Sequence, residues 1–331
     1  MIMDAYIKEI AYYLPNKILT NDEIAQKYPN WSSKKVFDKV GIIQRHVADV
    51  NETAADLAER AANVLFSKGA AKEEIDFLLF CTQSPDYKLP TSACILQNKL
   101  GLNKSVGALD FNLGCSGYIY GLSLAASLVI SGMATNVLLL TGETYSKYIR
   151  NEDVGNRTIF GDGASATLIS TSGFARIGKF VFGTDGSGFD NLILQNGGAK
   201  YKSSTAPKVN NIQYPDYLYM NGSEIFSFTL DKVPDLVKNV LTKNEESIDS
   251  INLFIFHQAN KFILEFLKQK LKISDNNFLI DIEKTGNTVS STIPIAFCNA
   301  LDLNNISNND KLLLAGFGVG LSLAGVVVYF E

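Results

Sequence analysis

A layered α/β fold made of two similar halves is predicted by three features of this chain. At 331 residues it is long for one ordinary core, which favours two domains or two halves. With 46% apolar and 19% charged residues and a mean hydropathy of +0.06, it describes a globular protein with a large buried interior. Strand-like and helix-like segments alternate, and after a loop-rich stretch at 170–215 the alternation begins again.

In the first half, 53–68 has helical spacing, 75–81 reads as a strand, 91–100 as a helix and 106–111 as a strand leading to Cys115. A small-residue helix follows over 116–130, then a strand at 137–140 and a turn and strand at 161–169. In the second half, 220–243 looks helical, 251–256 is a strand, 261–272 a helix, 278–280 a strand and 290–301 a helix, with closing strands at 312–315 and 325–330. The halves, 1–172 and 173–331, join near residue 172. Two uncharged stretches, 111–142 and 312–330, could be mistaken for membrane spans. Ser131-Gly132 and Asn136 break the first, and Gly316, Gly318, Gly320 and Gly325 make the second a tight loop between two buried strands, so no integral membrane segment is expected.

Thirty Lys and Arg against 34 Asp and Glu give a net charge of −4, and without any block of five like charges no nucleic-acid partner is expected. Cys81, Cys94, Cys115 and Cys298 lie far apart, with no zinc-ligand spacing, so no metal is expected. Asp4, Lys8 and Glu9 interrupt the N-terminal apolar run, which argues against a secretory signal and for a reduced, cytoplasmic protein. The run Gly183-Thr-Asp-Gly-Ser-Gly188 lacks the lysine and following helix of a phosphate loop and reads as a surface loop.

Chemistry concentrates at three strand ends. Cys115 lies in Gly-Cys-Ser-Gly, where a strand meets a sharp turn and a helix. The backbone N–H groups and dipole at a helix N-terminus favour thiolate. The turn alone suits a buried structural cysteine equally well. His257, one of two histidines, follows the strand at 251–256 and opens the next helix, the position equivalent to Cys115 in the second half. By itself it could be a capping residue. Asn287, in Lys284-Thr-Gly-Asn-Thr288, could by itself be a turn residue or N-cap. His46 sits in a loop and is given no role.

Taken together, Cys115 in Gly-Cys-Ser-Gly, His257 in His-Gln-Ala-Asn, Asn287 in Gly-Asn-Thr and the loop Gly316-Phe-Gly-Val-Gly320 resemble the β-ketoacyl-acyl-carrier-protein synthase III family of the thiolase superfamily. Gly41-Ile with Arg45-His46, Phe160-Gly-Asp-Gly-Ala164 and Met220-Asn-Gly-Ser-Glu-Ile-Phe226 match in register. The resemblance implies a duplicated α-β-α-β-α thiolase-like fold and a homodimer. It implies decarboxylative condensation: Cys115 takes an acyl group from acyl-CoA, and His257 and Asn287 donate hydrogen bonds to the thioester carbonyl of a malonyl carrier protein as carbon dioxide leaves. The backbone N–H groups of Cys115 and Val319 are the implied oxyanion donors. Biosynthetic thiolases generally carry a second Cys or His base and hydroxymethylglutaryl-CoA synthases use a Glu, so Asn287 points to loss of carbon dioxide, which needs no cofactor.

The resemblance puts Asn260 and Gly318 at the substrate pocket. It also gives Leu89, before Pro90, the task of closing the partner's acyl pocket, where many members limited to short starters carry Phe. It is incomplete in two places. The family's Leu-Arg after Gln-Ala-Asn is Lys261-Phe262 here, and the arginine helps to dock the carrier. A stripe through Lys261, Lys268 and Lys272, with Glu265 in it, is the expected replacement. Trp31 matches the tryptophan that stacks on CoA adenine, but its spacing to Gly41 is longer than usual, so it is not assigned. Three functions stay open: condensation in fatty-acid initiation, the same chemistry in a specialised secondary-metabolite or surface-glycolipid pathway, and a non-condensing acyltransferase or acyl-binding partner.

Overall fold

The computed structural model describes residues 4–201, 209 and 212–331. The start of the N-terminal run and the middle of the stretch at 170–215 lie outside the described residues. Among the described residues, ten strands form one sheet in the order Leu253–Phe256, Lys311–Gly318, Ser322–Phe330, Ala175–Ile177, Tyr6–Tyr13, Gly163–Ser170, Asn136–Glu143, Phe77–Cys81 and Gly107–Phe111, with Val181–Thr184 added beside Ser322–Phe330.

The duplication is visible in the pairing. Phe77–Cys81 runs parallel to Asn136–Glu143, which turns back antiparallel to Gly163–Ser170; Leu253–Phe256 runs parallel to Lys311–Gly318, which turns back antiparallel to Ser322–Phe330. The halves meet where Tyr6 and Ile7 pair with Arg176 and Ala175.

Alternation along these strands makes five layers, because successive side chains point to opposite faces. Leu79, Val137 and Leu139 from one half and Leu312, Leu314 and Val326 from the other face a shared central cluster. The helices Gly117–Ile130 and Thr292–Asp302 lie in that cluster, through Tyr118, Ile119, Val129, Ile293 and Phe297. The opposite faces are covered separately. Leu78, Phe80, Leu138 and Leu140 pack on the helix Ala54–Ser67, and Phe254, Phe256, Leu313 and Val327 pack on Gly222–Asn244 and Lys261–Leu271.

Most expected elements are found within a few residues of their predicted ends. The stretch at 170–215 is less loop-rich than expected, since it holds the strands Ala175–Ile177, Val181–Thr184 and Leu192–Leu194. The Gly183 end of the Gly183–Gly188 run belongs to the second of these. The expected strand at 278–280 is reduced to a single bridge from Phe254 to Phe278. The glycine loop is shorter than expected, because Gly316, Gly318 and Gly325 are strand residues and only three residues separate Lys311–Gly318 from Ser322–Phe330. Tyr6–Tyr13 was not legible as a strand: a register shift between Ile7 and Glu9 breaks its alternation.

Arg45 holds the loops behind the site. It is fully buried and donates to the carbonyls of Leu19 (3.0 Å) and Thr158 (2.8 Å) and to Asn21 Oδ1 (2.8 Å). Burial, reinforced by Arg157, lowers its pKa to about 10. Arg45→Met removes the side-chain donor from the Thr158 carbonyl and from Asn21 Oδ1, and one of the donors to the Leu19 carbonyl. The relief of burying a cation is smaller than that loss, so stability should fall by about 2–4 kcal/mol, read from urea unfolding. A change under about 1 kcal/mol would contradict this account.

Candidate active site

Cys115 follows the edge strand Gly107–Phe111 and stands just before the helix Gly117–Ile130, whose N-cap is Ser116. The polypeptide folds tightly over the sulfur: a Cβ on Gly318, which has φ +156°, would lie 2.7 Å from Cys115 Sγ. Gly117 is equally constrained, since a Cβ there would lie 2.3 Å from Cys81 Sγ.

His257 follows Leu253–Phe256, and its own N–H donates to the carbonyl of Ala315 on the neighbouring strand at 2.8 Å. Its ring stands edge-on to Phe317, with centroids 5.7 Å apart, and Phe317 leads directly to Gly318 over the sulfur. Asn287 is held by the loop before Thr292–Asp302. Its Oδ1 accepts from the Val289 N–H at 2.9 Å, and its Nδ2 donates to the Ala259 carbonyl at 3.3 Å and lies 3.5 Å from His257 Nε2. Val289 adopts φ +57°, an uncommon conformation for a β-branched residue, and this aims its N–H at Asn287. The side chains of Val289 and Val319 pack in one apolar cluster with Cys115.

All three residues are enclosed: Cys115 is 5%, His257 2% and Asn287 5% exposed. Burial pushes the Cys115 thiol up to about 12. The backbone N–H groups of Val319 and of Cys115 itself face the sulfur and pull the other way, and Glu143 adds to the upward push. The expected preference for thiolate is therefore reversed in the free protein, because loss of water around the sulfur outweighs the nearby N–H groups. Burial drives His257 down to about 3, with the Val289 carbonyl opposing it, so the imidazole is neutral across the physiological range.

Two cavities flank this cluster. One of about 840 Å³ runs from Val319 past Tyr145, Leu192 and Gln83 to Tyr87. The other, of about 510 Å³, lies between Lys39, Arg150, Asn156, Tyr214 and Gly222, and the two share Leu218.

The remaining expected site residues are placed less uniformly. Asn260 caps the helix Lys261–Leu271, its side chain accepting from the Ile263 N–H at 2.9 Å. Leu89 is 87% exposed on its own chain. The basic stripe does not form as expected. Lys268 is clamped between Glu265 (2.5 Å) and Asp275 (2.6 Å), and Lys272 lies past the helix end with φ +57°. Lys261 extends over the Phe37 ring, its Nζ 5.9 Å from the centroid. Trp31 is half-buried against the cluster of Val36, Val40, Ile42 and Ile282, with Lys35 and Lys39 over its ring at 5.2 and 5.4 Å.

Sequence reasoning missed Glu143. It ends the buried strand Asn136–Glu143 and accepts from the Gln83 N–H (3.1 Å), Ser84 Oγ (3.0 Å) and Ser290 Oγ (3.0 Å). A carboxylate at the carboxyl end of an otherwise apolar strand is the signal that could have found it.

Comparison with known proteins agrees with this geometry. The family described as 3-oxoacyl-[acyl-carrier-protein (ACP)] synthase III matches residues 109–186, and its C-terminal counterpart matches 241–330. A β-ketoacyl-[acyl-carrier-protein] synthase III of Clostridium perfringens is 33% identical over 318 residues, covering 96% of each chain. A crystal structure of a 3-oxoacyl-(acyl-carrier-protein) synthase III superposes with TM-score 0.95 at 47% identity, covering 99% of this chain and 100% of that one. The corresponding enzyme from Pseudomonas aeruginosa PAO1 gives TM-score 0.88 at 27% identity, covering 99% and 98%. A likeness this extensive, on a five-layered thiolase-like scaffold, makes the protein an acyl-transferring condensing enzyme. Within that class the chain belongs to the 3-oxoacyl-[acyl-carrier-protein] synthase III family.

Burial raises Glu143 from 4.5 to about 8, against its three hydrogen-bond donors. A folded-state value above the unfolded one means the carboxyl's contribution to stability is complete below about 4.5 and is lost as pH rises through about 8. Relative to Glu143→Gln, the native protein should lose stability across that window, at up to about 1.4 kcal/mol per pH unit. Urea midpoints at several pH values test this, and parallel curves for the two proteins would contradict it.

Proposed function

We propose that this protein carries out the decarboxylative Claisen condensation that initiates fatty-acid synthesis, joining an acyl-CoA starter to a malonyl carrier protein. One observation carries the mechanism: Cys115 Sγ faces the N–H groups of Val319 and Cys115, while a neutral His257 and the oriented amide of Asn287 meet beside it. The sulfur attacks the starter thioester, the two N–H groups stabilise the oxyanion, and the Cys115 proton leaves with the CoA thiol. The malonyl thioester then binds with its carbonyl between His257 Nε2 and Asn287 Nδ2. Its bond to the carboxylate breaks, carbon dioxide departs, and the electron pair is held as an enolate by these two neutral donors. The enolate carbon attacks the acyl group, giving a 3-oxoacyl thioester and returning Cys115 as thiolate, which takes a proton from solvent. Gly318 and Asn260 belong to the substrate pocket in this reading.

The names of the relatives favour fatty-acid initiation over a specialised pathway or a non-condensing acyltransferase. Residues 1–172 and 173–331 form the two halves, a division supported by the crossover of the chain between Gly163–Ser170 and Ala175–Ile177, which lie on opposite sides of Tyr6–Tyr13 and are both antiparallel to it. A homodimer is supported by the edge strand Gly107–Phe111, which among the described residues pairs on one side only, and by exposed Leu109, Leu89 and Tyr87. Lys261 is the basic contact left for an acidic carrier, Lys268 being neutralised by its two carboxylates. Among the described residues no helix is long and apolar enough to cross a membrane, which supports a cytoplasmic site.

The half-reactions should separate by mutation. Intact mass after incubation with acyl-CoA should show no adduct on Cys115→Ala. Asn287→Ala should still form one, with condensation slowed about a hundredfold or more, the scale of losing one oxyanion donor. Native-rate condensation by Asn287→Ala would sink the mechanism. At the dimer interface, leucine at position 89 leaves the partner's acyl pocket deeper than phenylalanine would. Starters longer than acetyl should therefore be accepted, and Leu89→Phe should shift preference toward acetyl by about 10- to 200-fold. Competition between acetyl-CoA and octanoyl-CoA reads this out, and an unchanged ratio would refute it.

A further inference from the structure

Gln83 puts a carboxamide beside the residue that carries an oxyanion donor. A Cβ on Gly114, the residue before Cys115, would lie 2.5 Å from Gln83 Oε1 and 2.6 Å from Val319 Cγ1, so the amide and the valine meet over the chain next to the sulfur. Both line the cavity of about 840 Å³. Gln83 Oε1 accepts from the Tyr145 hydroxyl, and Gln83 Nε2 donates to Asn112 Oδ1 at 2.9 Å. Tyr145 is 3% exposed and packs in the cluster that contains Cys115, so the bond it makes fixes the amide in place.

A carboxamide has two N–H groups and an oxygen with two lone pairs. Asn112 and Tyr145 use one of each, which leaves Gln83 one N–H and one lone pair without a partner among the described residues. On the wall of the same cavity Asn196 is 5% exposed; its Nδ2 donates to Asp216 Oδ1 at 2.8 Å, and its Oδ1 has no partner among the described residues. A plain alkyl chain in this cavity would strip water from such groups and return no hydrogen bond, which costs free energy at each one. A hydroxyl both donates and accepts, and so matches the spare pair on Gln83. We infer that the starter drawn into this cavity is an acyl thioester bearing a hydroxyl within a few carbons of the thioester, and that Gln83 is the residue that selects it. The inference rests on the acyl transfer to Cys115 proposed above and names the class of starter for it.

Competition between thioesters of equal size isolates the hydroxyl. Either enantiomer of 3-hydroxybutanoyl-CoA against 3-methylbutanoyl-CoA, and 4-hydroxybutanoyl-CoA against pentanoyl-CoA, exchange oxygen for carbon at one position. The mass of the Cys115 peptide reads which acyl group is held. The native protein should favour the hydroxyacyl member of at least one pair by about 10- to 100-fold, the scale of leaving a buried polar group unpaired. Gln83→Met keeps the length of the side chain and lacks the amide; there the preference should vanish or reverse, with Cys115 still acylated. A native protein that takes both members of every pair equally, or prefers the alkyl chains, would overturn the inference even if Gln83→Met failed to fold. So would a Gln83→Met protein with the native ratio. If no acyl-CoA labelled Cys115, the acyl-transfer reading itself would fail, and the inference with it.

Discussion

Two buried helices shared by both halves are the constraint on which the rest of the structure depends. Gly117–Ile130 and Thr292–Asp302 lie between two sheet faces, so each must be apolar nearly all round and neither can shift without disturbing both halves. The starts of both helices are tied to the strands around the site. Ser116 Oγ meets Ser322 Oγ at 2.6 Å, and Thr141 Oγ1 meets Ser291 Oγ at 2.7 Å. The cysteine before one helix and the asparagine before the other are thereby held by the best-packed part of the molecule, as close positioning requires.

The site this creates is dry, and dryness governs its electrostatics. Burial pushes Cys115 and Glu143 up and His257 down, so the charged form of each is disfavoured. An uncharged imidazole beside an amide suits hydrogen-bond donation to a developing enolate, because neither group quenches it by giving up a proton too easily. The same enclosure makes the unreacted thiol a poor thiolate. In the proposed reaction, nucleophilic attack is therefore coupled to arrival of the thioester and exit of the proton with the leaving thiol. Glu143 connects the Gln83-Ser84 turn to Ser290, just before the second helix, so its buried carboxyl links the wall of the larger cavity to the loop carrying Asn287.

The helix Lys261–Leu271 shows where charge patterning along one helix misleads. Helical spacing aligns Lys261 and Lys268, but Asp275 lies beyond the helix and folds back onto Lys268, while Lys261 passes over Phe37 from a distant segment. Neither contact is encoded at spacings of three or four residues. Arg45 is a parallel case: in sequence it is a loop arginine, and in the fold it is a fully buried donor to two separate segments, at Leu19 and Asn21 and at Thr158.

The sequence by itself determined the two-half α/β fold, most strands and helices, and the three residues that meet at the site. These depend on local signals: short continuous apolar runs buried on both faces, helical spacing, and turns at the carboxyl ends of strands. Tertiary structure alone decided the strands Tyr6–Tyr13, Ala175–Ile177 and Val181–Thr184, whose short or interrupted alternation is stabilised by pairing with residues far away in the chain. It also decided the protonation of Cys115, His257 and Glu143, because a pKa follows from how much water packing removes, and that is summed over atoms from both halves rather than written in any one motif.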